Sequence, residues 1–162
     1  MGANRRGAVV MDAVAVQAML ESRHQMTLAT INRDGSIHLV AMYYGLLDGH
    51  VAFTAKSASQ KIVNLLRNTH VTAMVDDGDS YEALRGVQVR GRAHVVEDEQ
   101  QRRAVAISLF ERRVGAFDPR VHGDQITSNL FRRTVVRIEP SHVVSWDHSR
   151  LSDTGQSQGA TT

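Results

Sequence analysis

The segment MTLATINRDGSIHLVAMYY, residues 26–44, decides the fold that the sequence predicts. Residues 26–31 favour a β-strand, and residues 32–35 have the Asn/Asp/Gly composition of a tight turn. Residues 36–44 alternate between two faces as a strand does. One face carries Ile37, Leu39, Ala41 and Tyr43, and the other carries His38, Val40, Met42 and Tyr44. The segment therefore predicts an antiparallel hairpin whose second strand has apolar residues on both faces.

The strand pattern returns in later segments, with helical patterns between them. Further strands are predicted at residues 50–55, 70–75, 86–96 and 134–145, and helices at residues 12–22, 58–67 and 98–115. Asp48 and Gly49 supply a second hairpin turn, a short helix precedes the last strand, and Pro140 is expected to bend that strand. Because hairpins dominate and closure removes exposed strand edges, we expect a mainly β fold with flanking helices, built as a six-stranded antiparallel barrel.

The chain length of 162 residues suits one domain with its own hydrophobic core. We expect residues 10–151 to form this domain. Residues 1–9 are expected to be a flexible N-terminus. Residues 152–162 are rich in Ser, Thr, Gly and Gln, so we expect a disordered tail.

Composition excludes several classes of function. The chain has no cysteine, so disulfides, thiolate metal sites and a cysteine nucleophile are excluded. The histidines lack metal-ligand spacing, so we expect no metal. No apolar run is long enough to cross a bilayer, and a formal net charge of +2 gives no reason to expect nucleic-acid binding. We therefore expect a cytoplasmic protein. Four arginines are expected to be ordinary surface charges: Arg112, Arg113, Arg132 and Arg133.

Residues 54–61, TAKSASQK, run from a strand end into a helix start and contain both lysines of the chain. The spacing of Ser57 and Gln60 is that of a capping box. A helix N-terminus disfavours cations but offers unpaired N–H groups, and the side chains of Ser59 and Lys61 add further donors. A phosphate would satisfy this set of donors. The alternative is a solvated, serine-capped helix with two surface lysines.

The segment KSASQKIVNL, residues 56–65, resembles the phosphate-binding segment of the flavin/deazaflavin oxidoreductase superfamily, the relatives of pyridoxamine 5'-phosphate oxidase. Three other pieces resemble the same superfamily in the same order. They are an opening hairpin at residues 27–35 and 38–44, a fourth-strand loop at residues 75–81 and 84–86, and the ending SWDHSRL at residues 145–151. The ending resembles a signature of the deazaflavin-using branch. Together the pieces cover nearly the whole chain before the tail.

The resemblance implies an FMN-binding split β-barrel that forms a homodimer, with two cofactor sites at the subunit interface. It implies a phosphate at Lys56 and Lys61, a ring system against residues 40–44, and a loop at residues 78–81 that closes over the cofactor. The implied cofactor-binding residues are Val40, Met42, Tyr44, Thr54, Lys56, Ser57, Ser59, Gln60, Lys61, Gly78, Asp79 and Tyr81.

The function that we predict is an oxidoreductase dependent on coenzyme F420, which transfers a hydride between the reduced deazaflavin and a small unsaturated organic substrate. The proton that accompanies the hydride would come from solvent or from a hydroxyl such as that of Tyr44 or Tyr81. One alternative is an FMN-dependent enzyme similar to pyridoxamine-phosphate oxidase. Another is a cofactor-binding protein without catalytic turnover.

Overall fold

The computed structural model describes residues 6–153, which form helices packed around one antiparallel sheet. The helices are α1 Arg6–Val9, α2 Ala13–Ser22, α3 Gln60–Arg67, α4 Glu99–Arg113, α5 Pro119–Leu130 and α6 Arg150–Asp153, with a 3₁₀ turn at Tyr81–Ala83. The strands are β1 Gln25–Ile31, β2 Ile37–Tyr43, β3 Gly45–Leu47, β4 His50–Lys56, β5 His70–Asp77, β6 Arg85–Val95 and β7 Arg133–Asp147. In the described part of the chain, no helix is both long and apolar enough to cross a membrane.

The order of the strands in the sheet is β2-β1-β5-β6-β7-β4-β3, and every pairing is antiparallel. The two edge strands, β2 and β3, are separated in the chain by Tyr44 alone. The sheet must therefore curve until its edges meet at that residue, which produces the predicted split barrel. The strand count is seven rather than six, because the chain continues past Tyr44 into a short strand that pairs with β4.

The predicted ends of the helices are mostly confirmed. Asp12 caps α2 by accepting a hydrogen bond from the backbone N–H of Ala15, and Asp98 caps α4 in the same way. Helix α3 differs, since its N-cap is Ser59 and it begins at Gln60. The predicted capping box based on Ser57 is wrong.

The core occupies the inside of the barrel and continues under two helices. Leu28, Tyr44 and Phe53 are fully buried within the barrel. A second cluster, which includes Phe110 and Ile126, packs α4 and α5 against the outside of β4 and β7. Burying each of these large side chains contributes about 1.5–3 kcal/mol relative to exposure. The second cluster fixes α4 and α5 beside the C-terminal end of β4.

The two faces of β2 have different environments. Val40 and Met42 pack against the barrel core, so the apolar side chains on that face of β2 are covered within one chain. Ile37 and Leu39 lie on the outer face with 61% and 65% of their area exposed. Strand pairing continues this outer face across the sheet. Leu39 of β2 lies beside Ala29 of β1, and Ala29 lies beside Thr72 of β5.

The last strand bends as predicted, with a register shift at Arg90/Gly91 where β6 passes Pro140. Residues 6–9 lie in the segment expected to be flexible, but they form α1, which contacts α6. The rest of that segment, and most of the predicted tail, lie outside the described residues.

Candidate functional site

A cavity of about 520 Å³ lies between the edge strand β2, the end of β4 and the helices α3 to α5. Five of the predicted binding residues line it: Met42, Thr54, Lys56, Ser59 and Lys61. The opposite wall comes from α4 and α5, which the second core cluster holds in place. The cavity is therefore built around the segment that the sequence singles out.

The charge of the cavity wall is entirely positive. Lys56, Lys61, Arg113 and Arg133 line it, and no carboxylate does among the described residues. None of these four cations belongs to an ion pair within residues 6–153. Lys56 also lies directly opposite Arg133 in the β4–β7 ladder, where like charges destabilise a sheet. An anion in the cavity would remove this repulsion.

The N-terminus of α3, beside the cavity, contains an unsatisfied hydroxyl group. The Oγ atom of Ser59 is buried and has no hydrogen-bond partner, although serine at an N-cap usually accepts a bond from the helix backbone. Leaving such a group unpaired costs about 1–3 kcal/mol. Lys61 lies in the first turn of the same helix, where the helix dipole opposes its charge. These two residues together fit an oxyanion such as phosphate.

Two predicted residues of this segment have other partners. The hydroxyl of Ser57 donates to the carbonyl oxygen of Arg132 at 3.2 Å and accepts from the hydroxyl of Thr134 at 3.0 Å. The side-chain amide of Gln60 donates to Oδ1 of Asn64 at 2.9 Å. Neither residue lines the cavity. These bonds fasten the start of α3, and the cofactor contacts predicted for the two residues stay a prediction.

Tyr44 does not face the cavity, so its predicted role as ring contact and proton source is wrong. Its side chain is fully buried, and its hydroxyl donates to the carbonyl oxygen of Leu20 at 2.7 Å. Burial raises the pKa of Tyr44 to about 12. The neighbouring Tyr43 points the other way and lines the cavity, with its ring 4.2 Å below the guanidinium of Arg113.

The predicted loop at residues 78–81 lies away from this cavity within one chain. Gly78 has a φ of 106°, and a Cβ there would lie 2.2 Å from the carbonyl oxygen of Ala83, so glycine is required. Tyr81 is exposed and packs against the ring of His148, with 4.6 Å between the ring centroids. Asp79 is also exposed. Gly78, Asp79, Tyr81 and Val40 are absent from the cavity lining.

Asp77 anchors the start of this loop. Its carboxylate accepts hydrogen bonds from Nε and Nη2 of Arg85, at 3.1 and 2.8 Å, and it also pairs with Arg23. The hydrogen bonds from Arg85, followed by the charge of Arg23, lower the pKa of Asp77 below its usual value.

Sequence reasoning missed the far wall of the cavity. Arg113 and Arg133 were expected to be surface charges, and Gln125 and Asn129 on α5 were not singled out. Arg112 is likewise no ordinary surface charge, because its guanidinium donates to the carbonyl oxygens of Leu20 and Arg23. The alternation that separates Tyr43 from Tyr44 was a usable signal, since it required one of the two to face outward.

The fold is that of a split β-barrel similar to pyridoxamine 5'-phosphate oxidase, with a cation-lined cavity beside its edge strand. The sequence profile of pyridoxamine 5'-phosphate oxidase matches residues 13–147. The chain therefore belongs to the pyridoxamine 5'-phosphate oxidase family, within the flavin/deazaflavin oxidoreductase superfamily.

Solved structures agree with this assignment. A conserved hypothetical protein from Mycobacterium tuberculosis is 34% identical, with a TM-score of 0.88 over 99% of this chain and 98% of that one. A protein described as an F420 reductase is 25% identical, with a TM-score of 0.63 over 83% of this chain and 98% of that one. An FAD-binding protein from Mycobacterium smegmatis shares the fold at 18% identity, with a TM-score of 0.59 over 84% and 96%. Among proteins with curated functions, none matches this sequence.

Proposed function

We propose that the protein is an F420-dependent oxidoreductase that transfers a hydride between the reduced deazaflavin and a small unsaturated organic substrate. The observation that carries this proposal is the buried, unpartnered Oγ of Ser59, a residue that lines the cavity together with Lys56 and Lys61 at the N-terminus of α3. A cofactor phosphate satisfies all three groups, because the hydroxyl can donate to it and both lysines oppose its charge.

The residues of the chain have distinct tasks in this proposal. Lys56, Ser59 and Lys61 hold the phosphate, while the ring lies along the edge of β2 that carries Tyr43. When bound, the reduced cofactor supplies the hydride. Tyr43, rather than the buried Tyr44, offers its hydroxyl as the proton source for the substrate, with solvent as the other source.

Two features favour a deazaflavin over FMN. The ending at residues 145–151 resembles that of the deazaflavin-using branch, and a structural relative at 25% identity is described as an F420 reductase. The second candidate is an FMN-dependent enzyme, which the match to pyridoxamine 5'-phosphate oxidase supports. A third candidate, a cofactor carrier without turnover, differs from both in lacking a reducible substrate.

A homodimer is part of the proposal. The outer face of the sheet carries exposed apolar side chains, including Ile37 and Leu39, of the kind that monomeric proteins rarely leave in a continuous patch. A two-fold axis would bury this patch against itself. The loop at residues 78–81 of a second copy could then close the cavity that the chain's own loop does not line.

Fluorescence titration of the purified protein with F420 and with FMN tests the cofactor. We expect F420 to bind more tightly than FMN, because of the ending that resembles the deazaflavin branch. Equal or tighter binding of FMN contradicts the F420 assignment and favours the second candidate. Turnover of the reduced cofactor with an unsaturated acceptor then separates an enzyme from a carrier.

A further inference from the structure

Asn64 of α3 is a polar residue in an apolar setting. Within residues 6–153 the buried polar residues are Thr30 and Asn64, with 1% and 0% of their area exposed. They bond to each other, since Nδ2 of Asn64 donates to Oγ1 of Thr30 at 3.1 Å. The same Nδ2 donates to Oδ1 of Asn32 at 2.9 Å, and Oδ1 of Asn64 accepts from Nε2 of Gln60 at 2.9 Å. Every polar atom of this carboxamide therefore has a partner.

The three partners of Asn64 belong to two parts of the fold. Thr30 lies on β1 and Asn32 lies in the turn that joins β1 to β2, whereas Gln60 is the first residue of α3. Asn32 in turn bonds across the hairpin, because its backbone N–H donates to the carbonyl oxygen of Ser36 at 2.8 Å and its Nδ2 donates to Oγ of Ser36 at 3.0 Å. One side chain thus joins the start of α3 to the β1–β2 hairpin.

This link crosses the split of the barrel. Strands β2 and β4 lie near opposite ends of the strand order, so no ladder joins them, and the cavity lies between them. Helix α3 follows β4 in the chain and holds Ser59 and Lys61 on that side of the cavity. Strand β2 lies on the other side, and its ladder with β1 extends as far as Tyr43. The hydrogen bonds of Asn64 therefore help to set the distance between the two sides.

Hydrogen bonds suit this task better than apolar contacts do. An apolar pair in place of Thr30 and Asn64 would pack at many relative positions and would leave no buried polar group to satisfy. Hydrogen bonds are directional, so a fully satisfied buried network favours one arrangement of the elements that it joins. Neither residue lines the cavity, so their effect on a ligand passes through α3 and the hairpin.

We propose that Asn64 is a positioning residue of the cofactor site, which sets the spacing between the phosphate at the start of α3 and the ring along β2. The inference rests on the proposed function, because it requires a cofactor that is held at both places. A ligand that binds through two ends depends on the distance between the two sites, whereas a ligand that uses one of them does not. The spacing role therefore has an effect on affinity that a general loss of stability lacks.

Titration of Asn64→Leu with the cofactor and with inorganic phosphate tests this role. The cofactor is whichever of F420 and FMN the parent binds more tightly, and phosphate affinity is measured by competition at millimolar concentrations. We expect the variant to lose about tenfold in cofactor affinity and less than about twofold in phosphate affinity. An equal loss for both ligands, which would mean that Asn64 shapes the phosphate site itself, overturns the proposal. Unchanged cofactor affinity also overturns it.

Arg67→Ala is the matched control for stability. It also loosens α3 from β1, since the guanidinium of Arg67 donates to the carbonyl oxygen of Ile31, but it does so at the far end of the helix. Both variants should lower the melting temperature, and only Asn64→Leu should lower cofactor affinity. A similar loss of cofactor affinity in Arg67→Ala would show a general effect of loosening the helix and would overturn the proposal.

Thr30→Val keeps the shape of the side chain and removes one bond of Asn64, so it decides the question if Asn64→Leu does not fold. It should lower cofactor affinity about threefold and leave phosphate affinity unchanged. Parental affinity for the cofactor in Thr30→Val would then overturn the positioning role.

The parent protein separates this test from that of the proposed function. If the parent binds neither F420 nor FMN, or if phosphate does not compete with the cofactor, the proposed function fails and the inference fails with it. If the cofactor binds and phosphate competes, while Asn64→Leu and Thr30→Val bind the cofactor as the parent does, only the positioning role fails.

Discussion

The hydroxyl of Tyr44 donates a hydrogen bond of 2.7 Å to the carbonyl oxygen of Leu20, at the point where the two edges of the sheet meet. The guanidinium of Arg112 donates to the same oxygen and lies 4.7 Å from the centre of the Tyr44 ring. This group of residues ties the end of α2 and the C-terminal half of α4 to the closure of the barrel. Tyr44 is therefore a structural residue.

Tyr44→Phe should destabilise the protein by about 0.5–1.5 kcal/mol, the net contribution of one hydrogen bond, because Arg112 still satisfies the Leu20 carbonyl. The loss should depend on pH. Burial raises the pKa of Tyr44 from 10.0 to about 12, so its stabilising effect is complete below pH 10 and is lost as the pH rises toward 12. Urea denaturation across this pH range should show the free energies of unfolding of the parent and of Tyr44→Phe approaching each other. Tyr81→Phe, at an exposed position, is the control, and an equal loss there would contradict the prediction.

Asp77→Asn should reduce stability at neutral pH, because it removes the carboxylate that Arg23 and Arg85 share. The pKa of Asp77 is lowered in the folded state, so its contribution is present above the unfolded value of 3.8 and is lost as the pH falls below it. The melting temperatures of the two proteins should therefore differ at pH 6, and the difference should shrink as the pH falls below 3.8. Asp79→Asn is the control, since Asp79 joins no ion pair within residues 6–153. A difference that persists in acid would contradict this account.

Leu39→Glu should convert the proposed dimer into a monomer, because it places a charge in the middle of the outer apolar face. Light scattering at micromolar concentration measures the change. Leu66→Glu provides a closely matched control, since Leu66 is 66% exposed and Leu39 is 65% exposed, but Leu66 lies on α3. A parent protein that is already monomeric would refute the dimer, and an equal effect of Leu66→Glu would refute the location of the interface.

Local sequence patterns predict most of the strands and helices, but only one of the two walls of the cavity. The hairpin at residues 26–44 and the caps Asp12 and Asp98 depend on neighbouring residues, so the sequence predicts them. The lysine segment is visible for the same reason. Arg113 enters the cavity only because α4 packs beside β4, a contact between distant parts of the chain. The choice between the two adjacent tyrosines, Tyr43 and Tyr44, likewise depends on where the barrel closes.

Ser59→Ala should leave the stability of the cofactor-free protein unchanged or raise it, because the variant removes a buried hydroxyl that has no partner. An N-cap serine that bonds the helix backbone would show the opposite, a loss of about 1 kcal/mol. Ser57→Ala is the paired control and should be destabilising, since its hydroxyl bonds Arg132 and Thr134. Chemical denaturation of the two variants measures the difference between their free energies of unfolding. A clear loss of stability in Ser59→Ala would mean that its hydroxyl already has a structural partner.

Lys61→Ala should separate stability from ligand affinity. The helix dipole opposes a lysine in the first turn by about 0.3–1 kcal/mol, so removing it should maintain or raise the melting temperature of the cofactor-free protein. A charge-assisted bond to phosphate contributes about 1.5–3 kcal/mol, so cofactor affinity should fall roughly 10- to 150-fold. Lys61→Arg should recover part of this loss, because the charge remains while the geometry of the donors changes.

Arg67→Ala is the control for Lys61, since Arg67 lies at the far end of α3. It should leave cofactor affinity nearly intact, although it costs some stability through the lost bond to the Ile31 carbonyl. Fluorescence titration and thermal unfolding of the three variants give both quantities. If Lys61→Ala binds the cofactor as tightly as the parent does, the lysine is only a solvated charge. An anion that offsets the repulsion between Lys56 and Arg133 would then bind without a contribution from the N-terminus of α3.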